Sequence, residues 1–392
     1  MSSRRTLGST AGLMLAVLAA LGAVLILAPS LTRAQWIARL IAREASLEIA
    51  SLAALALALL RRGGGRMVLA ARVGSLAALA VGLVAFASPL ATAWSTGTPF
   101  SLLRYVTWGG PAPTVSVERD LVLDPARPSL AANLWRGAGA APRPFLVVVH
   151  GGSWRGGDKG EGEFLFREFA AAGYSVLDVR YRLAPADGFP AGIADVKCLL
   201  GRFRESAARF GVDPDRAALF GRSAGAQVAI IAAYSAGDAR LPPSCAVEDR
   251  PVRAAISLYG PNDLVWGFEN PMVPDVVSGN QSLRVYLGGT PSDRAEAYRL
   301  GSALAWADRA LPPTLLIHGL GDQIVRVDHS RHVAAGLRER GRSVELVEVP
   351  FGEHGFDVRP GGVGEQITRH VALRFLAKAL GPGEALLGSP HP

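Results

Sequence analysis

The chain of 392 residues holds only two cysteines, Cys198 and Cys245. That is too little sulfur for a disulfide framework, and no Cys/His spacing beside them resembles a metal site. Two free thiols are the simplest reading; a single Cys198 to Cys245 disulfide becomes the alternative if this part of the chain lies outside the cytoplasm. The larger part of the chain also lacks net charge. Up to Gly110 there are ten arginines, no lysine and two acids, Glu44 and Glu48, which accounts for the whole net charge of +8. A basic chain can suit nucleic acid, but here the surplus charges flank apolar segments instead of lining a groove, which excludes that class of partner. No internal repeat or low-complexity tract is present.

The first hundred residues offer apolar length instead. Leu7 to Ala28 runs 22 residues without a charge and Val73 to Leu103 runs 31. Each is long enough to cross a hydrocarbon core of about 30 Å at roughly 1.5 Å per residue. Ile49 to Leu60 is apolar over 12 residues and gives a third span if it extends back through Ala45 with Glu48 at the interface. Trp36, Trp94, Tyr105 and Trp108 stand near the ends of these runs, as interfacial aromatics do. With three spans, Arg4, Arg5, Arg61, Arg62, Arg66 and Arg72 fall inside; with two, the whole loop from Arg33 to Arg72 does. Both counts put the rest of the chain outside the cytoplasm. Residues 1–108 are therefore expected to form a membrane region of two or three helices in contact with lipid, followed by a catalytic domain at 109–392. A signal peptide cleaved near Ala34 is the competing reading, weakened by an overlong apolar run and a poor cleavage sequence.

Beyond the Pro/Gly-rich junction at Gly109 to Pro113, β-rich runs alternate with helical patterns, which predicts an α/β fold with a mostly parallel sheet. Val115 to Leu123 and Ala131 to Arg136 read as an opening antiparallel hairpin. Six further strands follow at 145–149, 175–181, 217–220, 254–258, 314–317 and 344–349. Helices are expected at 164–172, 193–210, 224–233, 330–340 and 365–379. The long excursion from Asn262 to Trp306 is read as a cap or pocket wall over the carboxyl ends of the strands.

Gly221-Arg222-Ser223-Ala224-Gly225 falls between a strand and a helix. A nucleophile elbow needs small neighbours at that junction so that the turn closes and the serine hydroxyl projects from the sheet. His150-Gly151-Gly152-Ser153-Trp154 follows an earlier strand. Its adjacent glycines let backbone N–H groups converge, so Gly151 and Gly152 are candidates for an oxyanion hole, with Ala224 as a third donor. His150 precedes the nucleophile in sequence and is read as structural. No Lys-Ser/Thr ending follows these glycines, which argues against a phosphate loop.

The chain order nucleophile, acid, base then narrows the remaining choices. Asp322, in a loop after the strand at 314–317, is the candidate acid; Asp357 is a runner-up, as is Asp328, which is expected to cap a helix. His354, in Gly352-Glu353-His354-Gly355-Phe356, is the candidate base; His318, His329, His332, His370 and, in the tail, His391 are weaker rivals. Ser223, His354 and Asp322 together make an acyl-transfer apparatus that needs neither a metal nor a cofactor.

With these motifs, and with Tyr181-Arg182-Leu183-Ala184-Pro185, residues 111 to about 380 resemble the hormone-sensitive-lipase-like and feruloyl-esterase-like branch of the α/β-hydrolases. The resemblance implies an eight-stranded sheet with helices on both faces and hydrolysis of a small-molecule or lipid-like carboxylic ester. The His-Gly-Gly-x-Trp form also resembles kynurenine formamidases, which keeps amide substrates open, so an aryl-formamidase or peptidase using the same triad is the alternative, and a membrane-bound scaffold without turnover is the reading from another class. Arg222 departs from the family, which more often has an acidic or neutral residue there; it is either a solvated side chain or a clamp on an anionic substrate. Trp154, Trp266 and Tyr286 join Arg222 as candidate substrate-binding residues. The aromatics of the excursion serve equally well as its own small core.

Overall fold

A computed structural model describes residues 2–137 and 142–381. Five helices precede the first strand: α1 (Ser2–Leu27), α2 (Arg33–Glu44), α3 (Ser46–Leu60), α4 (Arg66–Thr96) and α5 (Leu102–Val106). Within α1 and α4 lie stretches long and apolar enough to cross a membrane. The expected span at 73–103 is shifted. The helix begins seven residues earlier and stops at Thr96 because Gly97 takes a left-handed C-cap with φ 70°, and Pro99 follows. Its last turns also leave the bundle, since Phe86, Leu90 and Ala93 pack into the apolar cluster of the sheet. The shorter α3 lies between α1 and α4, meeting them through small residues: Ala53 shares a buried cluster with Ala19 and Ala78, and Ala56 one with Ala16. Helix α2 starts with a capping box in which the Gln35 N–H donates to Thr32 Oγ1 and the Thr32 N–H donates to Gln35 Oε1, and it links α1 to α3.

The sheet has eight strands: β1 (Ser116–Val122), β2 (Ala131–Arg136), β3 (Arg143–Val149), β4 (Ser175–Val179), β5 (Val212–Arg222), β6 (Ala254–Leu258), β7 (Thr314–Gly319) and β8 (Val344–Val349). Their order is β1-β2-β4-β3-β5-β6-β7-β8; β2 runs antiparallel to β1 and β4, and the rest are parallel. Central strands such as Leu146–Val149 and Ala254–Leu258 are buried at every position, because helices cover both faces. Edge strands β1 and β8 mix exposed or half-buried residues with buried ones.

The helices of this part are α6 (Glu163–Ala171), α7 (Ala191–Glu205), α8 (Ala207–Phe210), α9 (Ala224–Tyr234), α10 (Leu264–Glu269), α11 (Gly279–Leu287), α12 (Ala295–Leu300), α13 (Asp328–Glu339) and α14 (Val363–Leu380). One face of the sheet buries Phe166 and Phe169 of α6 with Ile367, Val371 and Phe375 of α14. The other buries Leu199 and Phe203 of α7, Val228 and Ile231 of α9, and Val333 of α13. Helices α10 to α12 and the 3₁₀ turn Ala303–Trp306 occupy the excursion between β6 and β7. Much of it is its own core: the Phe268 and Tyr298 rings meet edge to face at 5.6 Å, and the buried Trp306 donates Nε1–H to the Leu300 carbonyl at 3.0 Å.

Cys198 of α7 and Cys245 form a disulfide, with Cα atoms 5.4 Å apart. The simpler reading of two free thiols is therefore corrected.

Candidate active site

The motif loops emerge together at the carboxyl ends of β3, β5, β7 and β8, where open α/β sheets place their ligands. Ser223 follows β5 directly, with φ 52° and ψ −127°, a backbone conformation costly for a residue with a side chain. The small neighbours permit it. A Cβ on Gly221 would stand 2.2 Å from the Gly225 carbonyl oxygen, and one on Gly225 only 2.1 Å from that of His150.

Ser223 Oγ lies 2.9 Å from Nε2 of His354, and His354 Nδ1 lies 2.8 Å from Oδ2 of Asp322. The other carboxylate oxygen of Asp322 accepts the backbone N–H groups of Ile324 and Val325, both at 2.8 Å. Burial alone would raise the Asp322 pKa, but the imidazoles of His354 and His318 more than offset it and hold the carboxyl below its usual range. The acid is thus ionised and aimed at the imidazole. The Tyr259 ring lies 4.6 Å from that of His354.

The runner-up acids have other partners. Asp357, fully buried, pairs with Arg222 and accepts the Tyr259 hydroxyl at 2.7 Å. Asp328 stands in the first turn of α13, pairing with Arg326 and Arg331, while Val327 occupies the N-cap position where Asp328 was expected.

Gly151 is packed against the nucleophile, for a Cβ there would meet Cβ of Ser223 at 3.1 Å. Gly152 takes φ +113°, with the Gly156 carbonyl oxygen 2.1 Å from where a Cβ would project. The contacts of His150 are with its own loop and with Tyr181. Its Nδ1 lies 2.8 Å from the Gly151 carbonyl, its ring stacks on Tyr181 at 4.4 Å, and burial lowers its pKa, so it stays neutral and donates to that carbonyl.

Ser223 and Ala224 open onto a pocket walled by Trp154, Leu264, Met272, Leu283, Val325 and His329. Burial and the neighbouring His318 push the His329 pKa down to about 3, so His329 is neutral. Of the four candidate substrate-binding residues, Trp154 alone lines the pocket. Tyr286 backs it, stacked on Trp154 at 4.6 Å, and both rings reach Gln227 Oε1, at 2.9 Å from Trp154 Nε1 and 3.3 Å from the Tyr286 hydroxyl. Trp266 packs instead on His332 at 4.5 Å and on His329 at 5.1 Å. Arg222 is neither solvated nor a clamp. It is 6% exposed and committed to Asp357, because a cation in that position behind the elbow must be paired.

Sequence reasoning missed Gln227, Tyr259 and Glu353, and weighed His318 only as a rival base. His318 and Asp322 bracket one short turn, a spacing that in retrospect marks both. Glu353 carries no signal beyond adjacency to His354, since the arginines it pairs with, Arg39 and Arg43, lie far upstream in the sequence.

A parallel sheet with a serine, a histidine and an aspartate hydrogen-bonded at its carboxyl edge defines an α/β-hydrolase. The chain belongs to the BD-FAE family, whose pattern it matches over residues 136–337. It is 31% identical over 266 residues to esterase LipC of Mycobacterium tuberculosis, covering 66% of this chain and 64% of that protein. Esterase LipQ of the same organism is 30% identical over 271 residues, covering 66% and 63%. The chain thus spans just under two thirds of the length of these curated relatives. Among solved structures, esterase LipW of Mycobacterium marinum superposes with TM-score 0.54 at 26% identity, over 76% of this chain and 90% of that one. An esterase of Pyrobaculum calidifontis shares the fold, with TM-score 0.58 at 23% identity, over 75% and 91%.

Proposed function

We propose that the protein is a membrane-anchored serine hydrolase that cleaves carboxylic esters. The observation that carries this reading is the unbroken hydrogen-bonded line from Ser223 through His354 to Asp322, with Ser223 lining a mostly apolar pocket. Ser223 Oγ attacks the ester carbonyl carbon as its proton passes to His354 Nε2. Asp322, ionised, fixes the imidazole with Nδ1–H toward itself and stabilises the imidazolium. The tetrahedral oxyanion is held by backbone N–H groups of Gly151, Gly152 and Ala224. Collapse expels the alcohol, which takes the proton from His354 and leaves an acyl group on Ser223. A water deprotonated by His354 then releases the carboxylic acid and restores the serine. The relatives' names, which are those of esterases, point to the same bond.

Anchoring rests on α1 and α4. The disulfide supports placing the catalytic region outside the cytoplasm, where such bonds persist, and the arginine distribution gives the same side. Replacing Ser223 with Ala is expected to cut turnover of a p-nitrophenyl short-chain ester by roughly a thousandfold or more; an unchanged rate removes the assignment. Retention in the membrane fraction after alkaline carbonate washing tests the anchor, and release of the intact chain would discard it.

A further inference from the structure

The amino-terminal helices reach the candidate triad. Arg39 and Arg43 stand one turn apart on α2. Arg39 Nε lies 3.2 Å and Arg43 Nη1 3.8 Å from Oε2 of Glu353, the fully buried residue that precedes His354. The other carboxylate oxygen, Oε1, accepts the backbone N–H of Gln323 at 2.6 Å and that of His354 at 3.1 Å. One carboxylate therefore ties the residue after Asp322 to the backbone of His354, with two arginines holding it from the opposite side.

The same helix grips both loops directly. Arg43 Nη1 donates to the carbonyls of Gly321 at 3.3 Å and Phe351 at 3.0 Å, one residue before Asp322 and three before His354. Ahead of α2, the Ser30 N–H donates to Gln323 Oε1 at 2.9 Å, and within α2 the Trp36 ring lies 6.5 Å from that of His354. A buried carboxylate without a counter-charge is expensive, and the catalytic region puts none of its own arginines or lysines within ion-pairing distance of Glu353 among the described residues. Burial raises the Glu353 pKa and Arg43 opposes that rise.

We infer that α2 belongs to the catalytic apparatus: Arg39 and Arg43 act through Glu353 as positioning residues that set the Asp322–His354 pair. This role rests on the ester-hydrolase reading above. The membrane region is then more than an anchor, because a displacement of the acid or base by about 1 Å costs roughly a hundredfold in rate.

The test uses the full chain in detergent micelles, with rates per active site titrated by a fluorophosphonate. The variant Arg39→Gln/Arg43→Gln is expected to lose about a hundredfold in kcat per titrated site, with KM changed by no more than about threefold. Arg39→Lys/Arg43→Lys, which keeps the charge, is expected to recover about tenfold of that loss. A merely structural role would lower the number of titrated sites and leave kcat per site alone, and that result overturns the inference. Should the double variant fail to fold, Arg39→Gln alone decides: about a tenfold fall in kcat per site is expected, and an unchanged value overturns it. Ser223→Ala separates the two readings. If wild type and Ser223→Ala turn over the ester equally, the ester-hydrolase reading fails; if only Ser223→Ala is inactive and the arginine variants match wild type, the role of α2 fails alone.

Discussion

His318 Nε2 lies 3.3 Å from Oδ2 of Asp322, the same oxygen that meets His354 Nδ1 at 2.8 Å. The Val325 carbonyl also faces Nε2, at 2.9 Å, so that nitrogen carries the proton, while Ser330 Oγ meets Nδ1 at 2.7 Å and donates to it. The acid is therefore steadied by a second imidazole as well as by two backbone N–H groups. His318→Ala removes one donor to a buried charge, an interaction of about 1.5–3 kcal/mol. We expect kcat for ester hydrolysis to fall roughly tenfold or more, with KM unchanged. Steady-state kinetics within twofold of wild type would discard this role.

Arg222 and Asp357 form a buried pair behind the nucleophile elbow, with Tyr259 donating to the remaining carboxylate oxygen. Arg222→Met strands the Asp357 charge, and the expected loss of stability is about 3–5 kcal/mol. Adding Asp357→Leu removes the stranded charge, so the double variant is expected to recover most of the loss. Unfolding midpoints in denaturant check this. A single variant as stable as wild type would show that Asp357 takes up a proton at little cost.

Strand-turn-helix context placed Ser223, and chain order placed Asp322 and His354, because both rules operate over a few residues or along the chain. All eight strands were legible for a similar reason: the central ones are continuous apolar runs between turn signals. Contacts made across the fold were not. Arg222 reads as a surface residue until Asp357, 135 positions later, closes on it. Arg39 and Arg43 read as topology signals, and nothing local ties them to Glu353. The aromatics of the excursion illustrate the same limit, since Tyr286 and Trp266 share a segment but only the former backs the pocket.

The Cys198–Cys245 bridge closes a loop of 47 residues in sequence separation, fastening α7 to the segment that leads into β6. Cross-linking a loop of that size restricts the unfolded chain by about 4 kcal/mol in the chain-entropy account. Cys198→Ala/Cys245→Ala is expected to lower the thermal midpoint by several degrees while leaving kcat unchanged, because neither cysteine lines the pocket. The wild type should show the same drop after full reduction, and the double variant should show no further drop. Insensitivity of the wild type to reductant, with the bridge demonstrably open, would contradict this.

Acid should unfold the protein in part through Asp322. Its folded pKa lies below the ordinary value, so ionised Asp322 contributes stability above an unfolded pKa of about 3.9, and that contribution is lost as pH falls through the folded value. Glu353 has the opposite sign. Its folded pKa is raised, so protonation begins above its unfolded value near 4.3 and favours the folded chain as pH falls. Asp322→Asn removes the first effect, and the thermal midpoint of this variant is expected to fall less steeply than that of wild type below about pH 4. The same variant should lose at least about a thousandfold in kcat at neutral pH, because an amide does not stabilise an imidazolium as a carboxylate does and can favour the wrong tautomer. Parallel acid limbs for the two proteins would mean that Asp322 is not held ionised by its two histidines, and the catalytic loss would then need another cause.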